Sequence, residues 1–138
     1  MRQIKEIIIH CTATEAGREV SVAEIDQWHT AKGWNGCGYH YIIHLDGRIS
    51  EGRPVSKVGA HCHGHNQNSI GIVYVGGLKD GVPTDTRTIE QFNSMYVLCS
   101  ALIDIYPTIV AIHGHNYYNP KKSCPCFDVS PLAFFFGR

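Results

Sequence analysis

The sequence predicts an α/β protein, a single domain over residues 1–138 with a central mixed β-sheet flanked by α-helices. Three observations lead there. Apolar, β-branched runs at residues 4–10, 69–75 and 109–113 show too little alternation for one-sided strands and read as strands buried on both faces. Two capping boxes, Ser21-Val22-Ala23-Glu24 and Thr88-Ile89-Glu90-Gln91, each open a segment with apolar residues at helical spacing. The chain has 138 residues, 43% hydrophobic and 17% charged, enough apolar material for one core and no compositional sign of disorder.

In chain order, residues 4–10 form the first strand, with His10 at its carboxyl end. The loop-like residues 12–17 follow, and open α/β sheets place their chemistry at such strand ends. The first capping box predicts a helix over 22–32, with Val22, Ile25, Trp28 and His29 facing inward and Gly33 ending it. At this spacing His29 reads as a packing residue. Residues 38–45 predict a second strand, turned back by Asp46-Gly47 into 48–51 as a hairpin. Period two sets Tyr39, Tyr41 and Ile43 on one face and His40, Ile42 and His44 on the other, so that Tyr39 and His40 should not share a pocket.

His61-Cys62-His63-Gly64-His65 is the densest histidine cluster, but Gly59, Gly64 and Asn66 mark it as a loop, better suited to lining a polar groove than to holding a metal. Residues 69–75 are a strand closed by Gly76-Gly77, and residues 79–85 are turn-rich. The second capping box opens a long helix with Phe92, Met95, Tyr96, Cys99, Leu102, Ile103 and Tyr106 as its buried stripe, stopped by Pro107. The strand over 109–113 leads into residues 114–128. Ser130-Pro131 then starts a short last helix, whose Leu132, Phe135 and Phe136 are expected to cover the core.

Composition also excludes. Lys+Arg and Asp+Glu balance at 12 each and no basic stripe emerges, which argues against a nucleic-acid partner. No apolar stretch approaches the roughly 20 residues of a membrane span. The apolar run behind the N-terminus is too short for a signal peptide, so the expected location is the cytoplasm until lysis or a separate pore gives access to the outside. The six cysteines are expected to be mostly reduced. Cys11 and Cys99 read as small core residues, and Cys124 and Cys126 are too close in sequence to pair.

The segment 114–128 gathers His115, Lys121, Lys122, Cys124 and Cys126, and its imidazole and thiolate donors suit zinc better than magnesium or calcium. If the strands ending at His10 and His113 are neighbours, their carboxyl ends and Cys124 can converge as three ligands. Three ligands and an open position make a catalytic zinc site, and four a structural one. Spacing does not choose between His113 and His115, which would point the same way in an extended segment. Cys126 keeps a four-ligand structural site open as an alternative.

Four blocks occur in order: Ile9-His10-Cys11-Thr12-Ala13-Thr14; Gly38-Tyr39-His40-Tyr41-Ile42-Ile43; Val58-Gly59-Ala60-His61 with Asn68-Ser69-Ile70-Gly71-Ile72; and Gly114-His115 with Lys122-Ser123-Cys124-Pro125. In these the chain resembles the zinc-dependent N-acetylmuramoyl-L-alanine amidases, the family shared by phage amidase lysozymes and peptidoglycan recognition proteins. The resemblance runs from about residue 4 to residue 132 and implies that family's fold. It implies one catalytic zinc ion on His10, His115 and Cys124, with Tyr39 and Lys122 as catalytic side chains. It also implies His61 and Asn66 as groove residues contacting glycan or peptide, Cys126 as a bystander, and Lys121 only as an alternative to Lys122. The implied reaction is hydrolysis of the amide between N-acetylmuramic acid and L-alanine in peptidoglycan, by a protein expected to be monomeric. A recognition module that binds peptidoglycan without cleaving it is the alternative within the same family. His115 and Cys124 stand nine positions apart, about one more than in phage-type members, which places an extra residue within 116–121.

Overall fold

A computed structural model describes residues 2–138. Its main sheet has five strands: β1 (Glu6–Cys11), β3 (Tyr41–Ile43), β4 (Ile49–Glu51), β5 (Ser69–Tyr74) and β8 (Ala111–Gly114). The spatial order is β4-β3-β5-β1-β8. All neighbours pair in parallel except the β3–β4 hairpin, so the sheet is mixed as expected. The hairpin turns at Asp46-Gly47, where Gly47 has a φ of 86° that an L side chain rarely adopts. A small second sheet of β2 (Thr14–Glu15), β6 (Gly77–Lys79) and β7 (Val82–Pro83) occupies the stretch expected to be only turns.

Strand alternation divides the core in two. Ile7, Ile9 and Cys11 of β1, with Ile70, Ile72 and Tyr74 of β5, join Met95, Cys99 and Leu102 of α2 (Ile89–Ile105) and Leu132 of α4 (Ser130–Phe135). On the opposite face Ile42 and Val73 pack with Val20 and Ile25, the latter on α1 (Val22–Ala31). Both long helices begin as the sequence predicts, with reciprocal capping boxes Ser21/Glu24 and Thr88/Gln91.

Three inward stripes are drawn differently from expectation. Trp28 is half-exposed beneath the Arg18 guanidinium instead of facing the core. Along α2 the buried line runs through Gln91, Met95, Leu98, Cys99 and Leu102, while Phe92 is 44% exposed. Gln91 turns the helix this way: its carboxamide nitrogen donates to the carbonyls of Val75 at 2.9 Å and Ile43 at 3.3 Å, where β5 and β3 end. The Ile43 carbonyl also accepts from the Val75 N–H at 3.0 Å, but the Val75 carbonyl, just past the end of β5, would otherwise be buried without a donor. In α4, Leu132 is buried but Phe135 is 68% exposed, lying edge-on to Tyr96. The β3 strand is also shorter than the predicted 38–45. Residues 38–40 are irregular, and Tyr39 joins the cluster of Ile42 instead of that of Ile43.

Two buried histidines brace this irregular segment. His29 Nδ1 accepts from the Gly38 N–H at 2.7 Å, which makes it the packing residue its spacing implied. His40 Nδ1 accepts from Gly71 N–H at 3.0 Å, and its Nε2 donates to the Lys57 carbonyl at 2.9 Å. Burial pushes each down to about 4 from the ordinary 6.5. Both are therefore neutral in the folded chain and bind a proton more readily when unfolded. Their contribution to stability is complete above about pH 6.5 and drains away as pH falls toward 4, by up to about 1.4 kcal/mol per pH unit for each group. Urea unfolding of metal-free protein is expected to show a midpoint that falls steadily between pH 7 and pH 4.5, with a shallower fall in a His29→Gln variant. Gln91→Leu, although more apolar, is expected to destabilise by about 1–3 kcal/mol because the buried Val75 carbonyl loses its donor, as read by the same titration at pH 7.

Candidate metal centre

His10 reaches the site because β1 alternates. With Ile7, Ile9 and Cys11 turned to the α2 side, His10 emerges on the other face at the strand's carboxyl end, 1% exposed. The parallel register pairs Ile9 with Gly114, so His10 and His115, the residues that follow them, come side by side at this edge of the sheet. Their ring centroids are 4.7 Å apart. Of the two histidines that spacing left open, it is His115 that lies in the cluster with His10 and Cys124. The strand ends at Gly114 and His115 begins the single turn α3 (His115–Tyr118), so His113 and His115 do not point the same way. His113 lies deeper on β8, with its Nδ1 3.2 Å from Glu6 and its ring stacked on Tyr117. The Tyr118 hydroxyl donates to the same Glu6 carboxylate at 2.6 Å and ties down the turn that carries His115.

Cys124 is brought in by three backbone anchors. The Asn116 N–H donates to the Cys124 carbonyl at 2.9 Å, the Tyr74 hydroxyl to the Pro125 carbonyl at 2.6 Å, and the Cys11 N–H to Cys124 Sγ at 3.2 Å. The intervening residues are taken up by consecutive turns, Asn119 N–H to His115 carbonyl and Lys122 N–H to Asn119 carbonyl. The longer separation of the two ligands therefore costs no convergence.

One donor atom from each of His10, His115 and Cys124 lies within 4.8 Å of the others. His10 Nδ1 is 3.8 Å from Cys124 Sγ. Tetrahedral zinc, with bonds of about 2.0–2.3 Å, sets its ligand atoms roughly 3.6 Å apart, so the three fit one ion with little movement. Their protonation suits the task as well. Burial, then the His61 and His115 imidazoles and the Lys122 ammonium, push His10 well below the ordinary imidazole value, and burial with Lys122 lowers His115. Neutral imidazoles are what a metal requires. Cys124 is the one cysteine held below the usual thiol value: the Cys11 thiol donates to its sulfur, and the Cys11 N–H and Lys122 add to this against burial. The other five are raised, Cys99 and Cys126 to about 12. All six are free thiols. Cys126 Sγ lies 3.7 Å from Cys11 Sγ, outside the three-ligand group.

A groove of about 310 Å³ opens beside His115, lined by Trp34, His61, Asn66, Asn119 and Lys122. Tyr39 approaches from the irregular segment before β3, its ring 5.1 Å from His10. Burial and then the charge of the Cys124 thiolate raise its phenol, which keeps the proton. His40, from the same segment, lies behind with its ring 5.9 Å from His61. The two neighbours therefore do not share a pocket, as expected, His40 turning to Gly71 and Lys57 and Tyr39 to His10. The predicted faces are not kept, because Tyr39 packs with the cluster of Ile42 where the backbone is not a regular strand. The Asn66 carboxamide oxygen accepts from the N–H groups of His61 and Cys62, both at 2.9 Å, and so shapes the histidine loop as well as lining the groove. Sequence reasoning missed Glu6, Tyr118 and Ser69, whose polar types at strand starts and in a loop carry no signal of what they hold. No helix among the described residues is long and apolar enough to cross a membrane.

Comparison with known proteins identifies the family. The model of the N-acetylmuramoyl-L-alanine amidase family matches residues 1–127. The endolysin of Escherichia phage T7 is 41% identical over 124 residues, covering 89% of this chain and 81% of that one. The endolysin of Enterobacteria phage K11 is 36% identical over 129 residues, covering 93% and 84%. Among solved structures, the amidase LysC from Clostridium intestinale URNW superposes with a TM-score of 0.83 at 27% identity, covering 98% of this chain and 86% of that one. With its α/β fold and its His10–His115–Cys124 cluster, the chain belongs to the N-acetylmuramoyl-L-alanine amidase family.

Proposed function

We propose that this protein hydrolyses the amide bond between N-acetylmuramic acid and L-alanine of bacterial peptidoglycan, with one zinc ion held by His10, His115 and Cys124. The observation that carries the reading is the three-residue cluster whose His115 lines a groove with Lys122 on its wall, with Tyr39 packed against His10. Zinc bound there would supply Lewis acidity, polarising the amide carbonyl and lowering the pKa of a water molecule.

The remaining work falls to side chains of the chain. Attack on the carbonyl carbon develops negative charge on its oxygen, and the Lys122 ammonium, exposed on the groove wall, is placed to stabilise that charge. Among the described residues neither the Lys122 ammonium nor the Tyr39 hydroxyl is engaged in a hydrogen bond or ion pair with the protein. The Tyr39 phenol, protonated throughout the neutral range, can donate to the oxyanion or pass a proton to the leaving amine. Lys121 is the weaker choice because it does not line the groove. Trp34, Asn119, Asn66 and the edge of His61 give the groove the mixture of aromatic and amide surface that suits a glycopeptide. A module that only binds would not need the two reactive side chains beside the metal ligands.

The direct test is release of soluble stem peptide from purified peptidoglycan. Release is expected with zinc-loaded protein and is expected to stop with a chelator; intact walls despite tight binding would sink the reading. Lys122→Ala is expected to lower kcat by about 10²–10³-fold with wall binding retained. Metal analysis of two cysteine variants should separate ligand from bystander: Cys124→Ser is expected to lose zinc and Cys126→Ser to keep one equivalent. Loss of zinc from Cys126→Ser would overturn the ligand set.

A further inference from the structure

Behind the candidate metal centre His10, His61, Ser69 and the carbonyl of His65 form an unbroken line of polar atoms. His10 Nε2 is 2.8 Å from His61 Nδ1, His61 Nε2 is 3.1 Å from Ser69 Oγ, and the Ser69 hydroxyl is 2.7 Å from the His65 carbonyl oxygen. His10, His61 and Ser69 are all buried, at 1%, 7% and 0% exposure.

The far end of the line sets its direction. A carbonyl oxygen can only accept, so the Ser69 hydrogen goes to His65, and Ser69 Oγ is left to accept from His61 Nε2–H. A buried imidazole with no carboxylate on either ring nitrogen carries a single proton, which leaves His61 Nδ1 as a bare lone pair facing His10. His10 must then bear its proton on Nε2, and its own lone pair is on Nδ1, the atom that faces Cys124 Sγ. Any other arrangement places two hydrogens or two lone pairs in one contact, or leaves the His65 carbonyl without its donor.

We infer that His61 is a positioning residue that, together with Ser69, holds His10 in the Nε2–H tautomer and orientation that offers Nδ1 to the metal; this rests on the zinc reading above. The fold makes room for it. Gly71 lies beneath the His61 ring, and a Cβ at that position would sit 2.6 Å from the ring's Cγ and Cδ2. Asn66 fixes the ring's approach by gripping the His61 and Cys62 N–H groups. Both ring nitrogens of His61 thus point inward, and only its carbon edge is left to the groove. Its effect on the reaction runs through His10. An imidazole ligand whose second nitrogen donates to a fixed acceptor is also the more basic and the better oriented ligand.

Zinc affinity, measured by competition with a chromophoric chelator, tests this without reference to activity. His61→Phe removes the acceptor and is expected to weaken zinc binding by about 10–100-fold. His61→Gln, which still offers a carbonyl oxygen to His10, is expected to recover most of that loss. In zinc-loaded wild type, long-range ¹H–¹⁵N spectra should show the His10 proton on Nε2. Zinc binding by His61→Phe as tight as wild type, a His61→Gln variant no better than His61→Phe, or a His10 proton found on Nδ1, would each overturn the inference while leaving the metal centre standing. Wild type that takes up no zinc would overturn the metal reading and this inference together.

Discussion

The parallel pairing of β1 with β8 is the constraint on which the site depends. It sets Ile9 opposite Gly114 and so brings His10 and His115 side by side at the carboxyl edge of the sheet. The register is held from both sides, by Ile7, Ile9 and Ile112 packed on the α2 face and by the Glu6 carboxylate receiving Tyr118 on the other. A slip of one residue would send His10 into the core and an isoleucine into the metal site, which the burial of one sheet face forbids. The pairing of His10 with His115 is thus a by-product of hydrophobic packing.

The third member of the cluster, Cys124, depends on hydrogen bonds as well as on packing. It stands on a loop whose Cys124, Cys126 and Phe127 pack against the edge of the core, and its position is fixed further by hydrogen bonds from Asn116, Tyr74 and Cys11. Two of these end on main-chain carbonyls and hold the loop whatever the state of the thiol. The third, together with the Cys11 thiol, reaches the sulfur and favours its charged form, the form that binds metal. Position and reactivity of the ligand therefore come from the same few contacts. Cys11 is a core residue by its burial and also a donor to the metal ligand, roles that its apolar surroundings in sequence do not distinguish.

What was hard to read lay where a polar contact or a backbone irregularity overrode a pattern. The α2 stripe drawn through Phe92 assumed that apolar residues choose the buried face, whereas Gln91 takes that place by bonding to the Val75 and Ile43 carbonyls; Tyr96, Ile103 and Tyr106 do pack against the core as expected. Phe135 was expected inward because it is large and apolar, but the short α4 buries little beyond Leu132. Tyr39 and His40 were expected on opposite faces, and regular strand geometry does not extend to them.

By itself the sequence determined the elements and the inventory of donors. Capping boxes act within three residues, strand burial shows in local composition, and the imidazole, thiol and ammonium groups are identified by residue type, so each is legible without the fold. The tertiary structure decided which donors meet. His115 joins the cluster with His10 and Cys124 and His113 does not because the chain leaves the sheet at Gly114, and His10 comes beside His115 through a register between segments about a hundred positions apart. The same holds for His61, which a loop of glycines and Asn66 suggested as groove wall and which Ser69 and Gly71 seat behind His10. Such meetings depend on packing between distant segments, and no local pattern records them.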